Sequence, residues 1–320
     1  MEQRIEMEVD ASEVERRQEE AGSDYEVTLE SLSQWQLAWK KFKKHHLALL
    51  GLGILGLLFL VAVFGPILAP FDFNTIPKLE PGAKPVAAGR PPSLLHLFGE
   101  TGGLQRDVLQ LVVNGARTSL FIGFSSMFIG VLIGTIVGSV AGYLGGFVDN
   151  FLMRIVDVML SLPILFVIVV AAKFLGQGSV LLVVVIFGVF SWMGVSRLVR
   201  SLFLSIRERE FVEAAKAVGV RDRRIIFRHI LPNAFSPIVV AASLIVAGNI
   251  ITEAFVSFLG VGVNPTTPTW GNILANARTA LLQGNWWWPA FSGGAIIVTV
   301  LAVSFVGDGL RDAFDPRSQT

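Results

Sequence analysis

The chain has 320 residues, of which 52% are hydrophobic and only 16% are charged, and its formal net charge is +1. A soluble domain carries about 25% charged residues, so this composition excludes an ordinary soluble protein and indicates a protein with several membrane spans. The small net charge gives no indication of nucleic acid, and no nucleic-acid partner is predicted. The lack of cysteine excludes disulfides and thiolate metal sites.

The first hydrophobic stretch follows a polar N-terminal segment. Residues 1–39 are rich in glutamate and are expected to form a cytoplasmic tail, partly disordered or loosely helical, that is solvated rather than bound to a partner. Its acidic start does not match a cleavable signal peptide. The run from His46 to Leu68, within a first transmembrane helix assigned to residues 40–70, is long enough to cross a hydrocarbon core of about 30 Å. Four lysines just before it, Lys40, Lys41, Lys43 and Lys44, place the N-terminus in the cytoplasm.

The next segment, residues 71–117, is expected on the extracytoplasmic side. Its first half is rich in proline, which argues against regular structure, and its second half is expected to form an amphipathic surface helix. A membrane core with five further spans follows at residues 118–310, beginning with a span from Thr118 to Tyr143. Small residues on one face let helices approach closely, so this span is expected to pack within the chain or on a sister subunit. The glycines of that face recur every four residues, at Gly130, Gly134, Gly138 and Gly142.

The third span, about 152–174, contains two features of interest. Arg154 and Asp157 are three residues apart, so they could pair with each other or with a neighbouring helix. Pro163 lies near the middle of the span, where it would free a backbone carbonyl and kink the helix. Such a kink could line a transport pathway or be a packed irregularity, and the sequence favours neither.

The fourth span, about 180–199, ends at a strongly basic loop, residues 201–236. Basic residues mark cytoplasmic loops, and this loop is separated from the N-terminal lysines by an even number of spans, so the two charge clusters agree on the orientation. The basic residues of the loop are Arg207, Arg209, Lys216, Arg221, Arg223, Arg224 and Arg228.

The loop itself predicts a short helix–turn–helix. Phe211, Ala214, Ala215 and Val218 share one face of a first helix, and Gly219 stands where a left-handed C-cap would be needed. A second helix is expected to be capped by Asp222 and to be ended by Pro232 and Pro237, because proline cannot donate a backbone hydrogen bond. The unit is too short and too charged to cross a membrane.

The fifth span, about 238–261, carries an acidic residue in its interior. Glu253, beside Asn249 and Thr252, would cost roughly 2.5–3.5 kcal/mol at the bilayer centre if it faced lipid. It is expected to face a transport pathway, a partner subunit or an internal hydrogen-bond partner. A tryptophan belt at 286–288 precedes the sixth span, about 290–306, and residues 311–320 form a cytoplasmic C-terminal tail. The prediction is an all-α membrane protein with six spans and both termini in the cytoplasm.

Several motifs together resemble one family. Residues 213–215 have the sequence EAA, Gly219 follows, and residues 231–232 are Leu-Pro. This pattern resembles the EAA loop of ABC-importer permeases, in which a coupling helix docks on a separate ATPase subunit. His229 stands where the family often has isoleucine, and the sequence RHILPN resembles the dipeptide, oligopeptide and nickel branch. Applied to this chain, the resemblance implies ATPase coupling through Phe211, Glu213, Ala214, Ala215, Gly219, Arg221 and Arg224.

Further stretches extend the resemblance from about residue 98 to residue 317. Residues 98–120 resemble the pattern FGTDxxGRDxxSRxxxGARxSL of the same branch, although Glu100-Thr101 replaces Thr-Asp and Gln105 replaces Gly, which weakens any role in contacting substrate. The region after the fifth span resembles the pattern GxGxxPxxPxWG, and GDGLRDAFDPR at 307–317 resembles the family's C-terminal signature. The fold implied is the type I ABC-importer permease fold in a prokaryotic inner membrane.

The resemblance also implies partners and a substrate class. It implies a second homologous permease subunit, two ATP-binding subunits and an extracytoplasmic substrate-binding protein around a bilayer-embedded chain that imports peptides; nickel is the alternative substrate. The sequence has no phosphate-binding G-x-x-x-x-G-K-[ST] loop, no zinc-binding H-E-x-x-H and no nucleophile elbow. No catalytic residue, metal or cofactor is therefore predicted, and ATPase activity is expected on other subunits.

Two other classes of protein were weighed against an ATP-driven importer. An ion-coupled secondary transporter would use membrane carboxylates such as Glu253 and Asp157 and would show repeated halves, which are not evident in the sequence. A channel or structural scaffold would need no ATPase partner. The residues left as candidates for a pathway or for helix packing are Asp157, Pro163, Asn249 and Glu253.

Overall fold

The computed structural model describes residues 34–68, 89–102, 106–175 and 178–314. The predicted tail up to residue 33, the proline-rich residues 69–88, Gln105 and residues 315–320 lie outside the described residues. The chain divides into two units, residues 1–39 and 40–320, and the described end of the first unit, 34–39, is helical. The described helices are α1 Gln34–Phe42, α2 His46–Leu68, α3 Val108–Leu144, α4 Gly146–Ser161, α5 Ile164–Leu175, α6 Val180–Ile206, α7 Glu210–Ala217, α8 Asp222–Ile225, a π-helical turn Ile226–Ile230, α9 Leu231–Phe258, α10 Trp270–Leu282 and α11 Trp287–Phe314.

The all-helical membrane fold is confirmed. Among the described residues, five helical stretches are long and apolar enough to cross a membrane, and a bent pair of helices gives a sixth if it counts as one span. The five are α2, α3, α6, the continuous stretch from α8 to α9, and α11. Five of the six predicted spans therefore have a helix that is long and apolar enough to cross, and the third has one only if the bent pair counts as a single span; several of the helices extend beyond the predicted ends.

Helix α3 differs most from its prediction. It is one unbroken helix of 37 residues, so at about 1.5 Å per residue it is about 55 Å long, well beyond a hydrocarbon core of about 30 Å. The predicted surface helix and second span are thus a single element. Asp107 starts it, because its Oδ1 accepts a hydrogen bond from the Leu109 N–H at 2.7 Å and satisfies a donor at the helix N-terminus.

The third span is broken rather than gently kinked. Helices α4 and α5 meet at 74°, with Leu162 and Pro163 between them. Pro163 has no N–H to give to the preceding turn, whereas its carbonyl accepts the first bond of α5 from the Val167 N–H at 3.2 Å. The position of the predicted disruption is correct, and its size is larger than a simple kink.

The glycine face of α3 packs inside the chain. Helices α3 and α6 form the most extensive helix–helix contact of the bundle, and a Cβ at Gly134 would lie 2.5 Å from the Val195 Cβ. A Cβ at Gly138 would lie 2.5 Å from the Ser196 carbonyl oxygen. Because real Cβ atoms do not approach so closely, only glycine permits this packing, as expected for helices that associate in lipid.

The remaining helices surround α3 and α6. Helix α11 packs against both α2 and α9, all three pack against α3, and a buried cluster that includes Leu120, Ile250 and Val303 fills the space between them. Helix α10 was not predicted; it packs on α9 and α11 and buries Trp270 completely. Its N-cap is Thr269, whose side-chain oxygen accepts the Asn272 N–H at 3.0 Å.

Candidate functional site

The stretch that joins α6 to α9, residues 207–230, forms a compact projection at one end of the bundle. We refer to it as the elbow. Its first helix, α7, is held by an apolar inner face, in which Val212 is fully buried and Ala215 is nearly so. These two side chains belong to a buried cluster with Phe203 of α6 and with Ile225 and Ile230 of the elbow. The elbow is therefore packed on the ends of α6 and α9.

The outer face of α7 is open. Phe211 is 40% exposed and Val218 is 79% exposed, and Glu213 and Ala214 are exposed as well. The predicted apolar face is thus divided: Ala215 turns into the bundle, and the others face outward. Exposed apolar side chains on a short, well-anchored helix are typical of a surface that another protein covers.

Gly219 ends α7 as predicted. Its φ of 77° lies in the left-handed region, its N–H bonds to the Lys216 carbonyl at 2.9 Å, and the Val220 N–H bonds to the Ala215 carbonyl at 3.0 Å. This pair of bonds is the Schellman arrangement that closes many helix C-termini. A Cβ at Gly219 would meet nothing within 4 Å, so glycine is needed here for its backbone freedom and not for space.

The second half of the elbow differs from the prediction. Asp222 is not the N-cap of α8: Arg221 holds that position and Asp222 is the first residue of the helix, and the Asp222 Oδ1 accepts the Tyr143 hydroxyl at 2.5 Å. The helix also continues past Pro232 and Pro237, because the π-helical turn leads directly into α9. Pro232 falls in the first turn of α9, where its missing N–H costs little, and an interior proline is tolerated when neighbouring helices support the span.

Tyr143 and Arg207 connect the elbow to the end of α3. Besides the bond from Tyr143 to Asp222, the Lys216 ammonium lies 5.9 Å from the centre of the Tyr143 ring. Arg207 donates hydrogen bonds to the carbonyls of Gly142 at 3.2 Å and Tyr143 at 3.1 Å. These bonds satisfy carbonyl acceptors that have no partner within the last turn of α3. The sequence analysis did not single out these contacts, because they join residues far apart in the chain.

An open, cationic cavity of about 620 Å³ lies beside α8. Arg221 and Arg224, both predicted site residues, are brought together here with residues that were not predicted. The density of arginine between 221 and 228 is the sequence signal that could have found them. The cavity is lined by Arg221, Arg223, Arg224, Phe227, Arg228 and Pro232. With Phe227 61% exposed, this surface suits a protein partner that offers carboxylates around an apolar contact.

The predicted residues of the spans lie away from the elbow. Asp157 pairs with Arg197 of α6 at 2.5 Å, not with Arg154. Asn249 donates to Ser126 Oγ at 2.8 Å and accepts from Ser191 Oγ at 3.2 Å. Asn249 therefore joins α9 to both α3 and α6, and Asp157 joins α4 to α6.

Glu253 is 1% exposed and lies among internal hydrogen-bond partners. Its Oε1 accepts from Ser257 Oγ at 2.8 Å, its Oε2 accepts from Ser119 Oγ at 3.4 Å, and Thr269 hydrogen-bonds to the same carboxyl group. Ser119 Oγ in turn accepts the Trp270 N–H at 3.1 Å. The carboxyl group thus connects α9, α3 and the start of α10, which favours helix packing among the three alternatives for this residue.

A helical bundle with five to six candidate spans among the described residues defines an integral membrane protein. Comparison with known proteins identifies the family. Residues 130–320, more than half of the chain, match the model of the binding-protein-dependent transport system inner membrane component, and residues 33–82 match the N-terminal TM domain of oligopeptide transport permease C. The chain belongs to this family of transport-system permeases.

Individual relatives agree with this assignment. The chain is 36% identical to the oligopeptide transport system permease protein OppC of Bacillus subtilis over 93% of this chain and 94% of that protein. It is 39% identical to the dipeptide transport system permease protein DppC of the same organism over 90% of this chain and 87% of that protein. A solved chain of the MetNI methionine ABC transporter, in an inward-facing conformation, is similar in fold, with a TM-score of 0.51 at 22% identity over 64% of this chain and 96% of that chain.

Proposed function

We propose that this chain is the membrane-spanning permease subunit of an ATP-driven peptide importer, and that the elbow receives its ATPase subunit. The observation that carries the proposal is the division of α7 into two faces. Val212 and Ala215 fix the helix to the bundle, whereas Phe211 and Val218 are exposed at the surface. Peptide as the substrate is supported by the relatives, which are oligopeptide and dipeptide permeases.

The packing of the elbow supports a mechanical role. Its inner face shares one cluster with the ends of α6 and α9, and both helices also contact α3. A close-packed interior transmits displacement rather than absorbing it. Movement of an ATPase bound at α7 would therefore shift α6 and α9 and would alternate the access of the pathway between the two sides of the membrane. ATP binding and hydrolysis belong to two separate subunits in this proposal.

The same proposal includes an orientation. With the bent pair α4–α5 taken as one span, four spans separate the lysines that precede α2 from the arginines of the elbow, so both clusters would lie at one end of the bundle. The positive-inside rule places that end in the cytoplasm, with both termini, in a prokaryotic inner membrane. A second permease subunit would pack beside this one, and the substrate-binding protein would dock at the opposite end.

Site-specific cross-linking tests the docking surface. The natural chain has no cysteine, so Val218→Cys introduces a single reactive thiol on the outer face of α7. A matched control is Leu94→Cys, which is 98% exposed but lies in the segment before α3. In membranes that contain all subunits, Val218→Cys should cross-link to an ATP-binding subunit and Leu94→Cys should not.

Uptake measurements with the same variants complete the test. The proposal requires that peptide uptake depends on ATP, and that it stops when Val218→Cys is cross-linked to the ATPase subunit. If the Val218→Cys variant takes up peptide normally but forms no cross-link, the elbow is not part of the docking interface. Uptake driven by an ion gradient without ATP would identify a secondary transporter instead. Uptake of nickel but not of peptide would show that nickel is the substrate.

A further inference from the structure

A second cavity, of about 450 Å³, lies where the first span begins. It is formed between the end of α1, with the turn that leads into α2, and the last turns of α11, and it is lined by Lys41, Lys44, His45, Gly309, Asp312 and Ala313. The turn before α2 is closed by a bond from the Lys44 N–H to the Lys41 carbonyl at 2.9 Å. This turn holds the two lysines on one wall, and the permease function uses none of these residues.

The cavity is fixed by tight packing beneath it. A Cβ at Gly309 would lie 2.2 Å from the Ala48 Cβ and 3.2 Å from Phe42 Cε2, and both Ala48 and Phe42 are buried. Helices α2 and α11 therefore touch at Gly309 and diverge beyond it. The gap follows from the backbone packing and does not depend on the conformation of the surface side chains.

The charge of the cavity favours an anion. His45 Nδ1 accepts the Ala48 N–H at 3.1 Å, so the ring carries its proton on Nε2, which lies 3.4 Å from Asp312 Oδ2. Asp312 is thus engaged by a hydrogen-bond donor across the cavity. The lining of the cavity carries two lysines, Lys41 and Lys44, against one carboxylate, Asp312.

The surface next to the cavity is apolar and faces outward. Leu47 and Leu50, in the first turns of α2, are 51% and 55% exposed, and α2 is a membrane-spanning helix. A molecule with an anionic head in the cavity would lay hydrocarbon chains along these side chains. Basic pockets at the cytoplasmic ends of transmembrane helices hold anionic lipid head groups in this way, whereas free phosphate would gain nothing from the leucines.

We propose that this cavity binds the phosphate head group of an anionic phospholipid, with Lys41 and Lys44 facing the phosphate and Leu47 and Leu50 contacting the acyl chains. The bound lipid would fasten the start of α2 to the end of α11. The proposal does not depend on which solute the chain transports.

The test uses the full chain purified with its partner subunits. Phosphatidylglycerol is titrated into the detergent-solubilised complex, and native mass spectrometry gives its apparent Kd, with phosphatidylcholine and inorganic phosphate as separate probes. The double variant Lys41→Gln/Lys44→Gln removes the lining charges. The matched control, Lys40→Gln/Lys43→Gln, removes the same charge from the same turn at positions that do not line the cavity.

A lysine near the membrane surface contributes roughly a fivefold gain in affinity for anionic lipid, so loss of the lining pair should raise the Kd for phosphatidylglycerol by at least about 25-fold. Loss of the control pair should raise the Kd clearly less, because those two lysines do not line the cavity. Equal losses in the two double variants would show only diffuse surface attraction and would overturn the site. Inorganic phosphate that binds as tightly as phosphatidylglycerol would overturn the assignment to lipid.

A third variant keeps the proposal testable if the lining pair fails to assemble. Asp312→Asn removes the carboxylate that faces the lysines but keeps an acceptor for His45 Nε2–H. Phosphatidylglycerol should then bind more tightly than to the natural chain, and phosphatidylcholine should be unaffected. An unchanged or weaker affinity for phosphatidylglycerol in this variant contradicts the proposal.

Discussion

Replacing Gly219 by valine should uncouple transport without preventing membrane insertion. A Cβ at this position would meet no atom within 4 Å, so we expect the effect to come from the backbone. At a φ of 77°, an ordinary L-residue costs about 1–2 kcal/mol, and a β-branched residue costs more. If the turn relaxes, the bonds from Gly219 and Val220 to α7 are lost. An energy of about 1–2 kcal/mol lowers the equilibrium ratio of intact to relaxed elbow by about 5- to 30-fold.

Uptake of labelled peptide, normalised to the amount of chain in the membrane, measures this effect. Gly219→Asn is the first control, because asparagine tolerates the left-handed region and should retain most of the uptake. Gly53→Val is the second, because it makes the same change on an open face of α2 where a Cβ also meets nothing within 4 Å. Normal uptake by Gly219→Val at normal abundance would refute the role of the turn, and an equal loss in Gly219→Asn would assign the effect to side-chain bulk.

Three more variants probe the packing around the elbow and the core. Tyr143→Phe removes the bond to Asp222; it should cost about 0.5–1.5 kcal/mol of stability and should lower uptake per molecule, measured by thermal unfolding and vesicle assays. Glu253→Leu leaves Ser257 without its acceptor; abundance and thermal stability should fall while the uptake of the surviving molecules stays normal. Gly138→Ala places a Cβ 2.5 Å from a backbone oxygen of α6; overpacking should lower stability by about 1–3 kcal/mol, measured by thermal unfolding.

Each of these variants has a control and a contrary outcome. Gly248→Ala meets no neighbour within 4 Å and should leave stability unchanged; equal effects at Gly138 and Gly248 would show that the glycine face of α3 does not set the packing. For Glu253, the conservative change to glutamine should restore much of the stability. Loss of uptake in a fully stable Glu253→Gln would point to the pathway instead. Full uptake by Tyr143→Phe would show that the end of α3 takes no part in coupling.

Features that depend on local backbone or on span length could be predicted from the sequence. The apolar run of α2 and the turn at Gly219 are of this kind. The thickness of the hydrocarbon core sets the length of the run, and a left-handed C-cap calls for glycine at the turn. The break at Pro163 is also local, although its angle is not. The sequence around Pro163 does not determine the angle between α4 and α5, because that angle depends on how α5 packs against neighbouring helices.

Features that depend on distant partners could not be predicted. Asp222 is of a residue type that often caps helices, but its carboxylate accepts a hydrogen bond from the Tyr143 hydroxyl of another helix. Asp157 had Arg154 three residues away, yet α6 supplies Arg197 at hydrogen-bond distance. Helix α10 was not predicted because the proline-rich segment before it indicates a loop. Its packing against α9 and α11, which the sequence does not show, stabilises the helix.

The unbroken length of α3 has a consequence for communication across the membrane. Near the beginning of α3, the Val112 carbonyl accepts the Trp270 indole N–H at 3.0 Å. Near its end, the carbonyls of Gly142 and Tyr143 accept hydrogen bonds from Arg207. A hydrogen-bonded helix without proline bends only gently. The stretch of α3 from Val112 to Tyr143 thus forms a rigid rod about 46 Å long between α10 and the elbow, and tilting either end must displace the other without any relay of side chains in between.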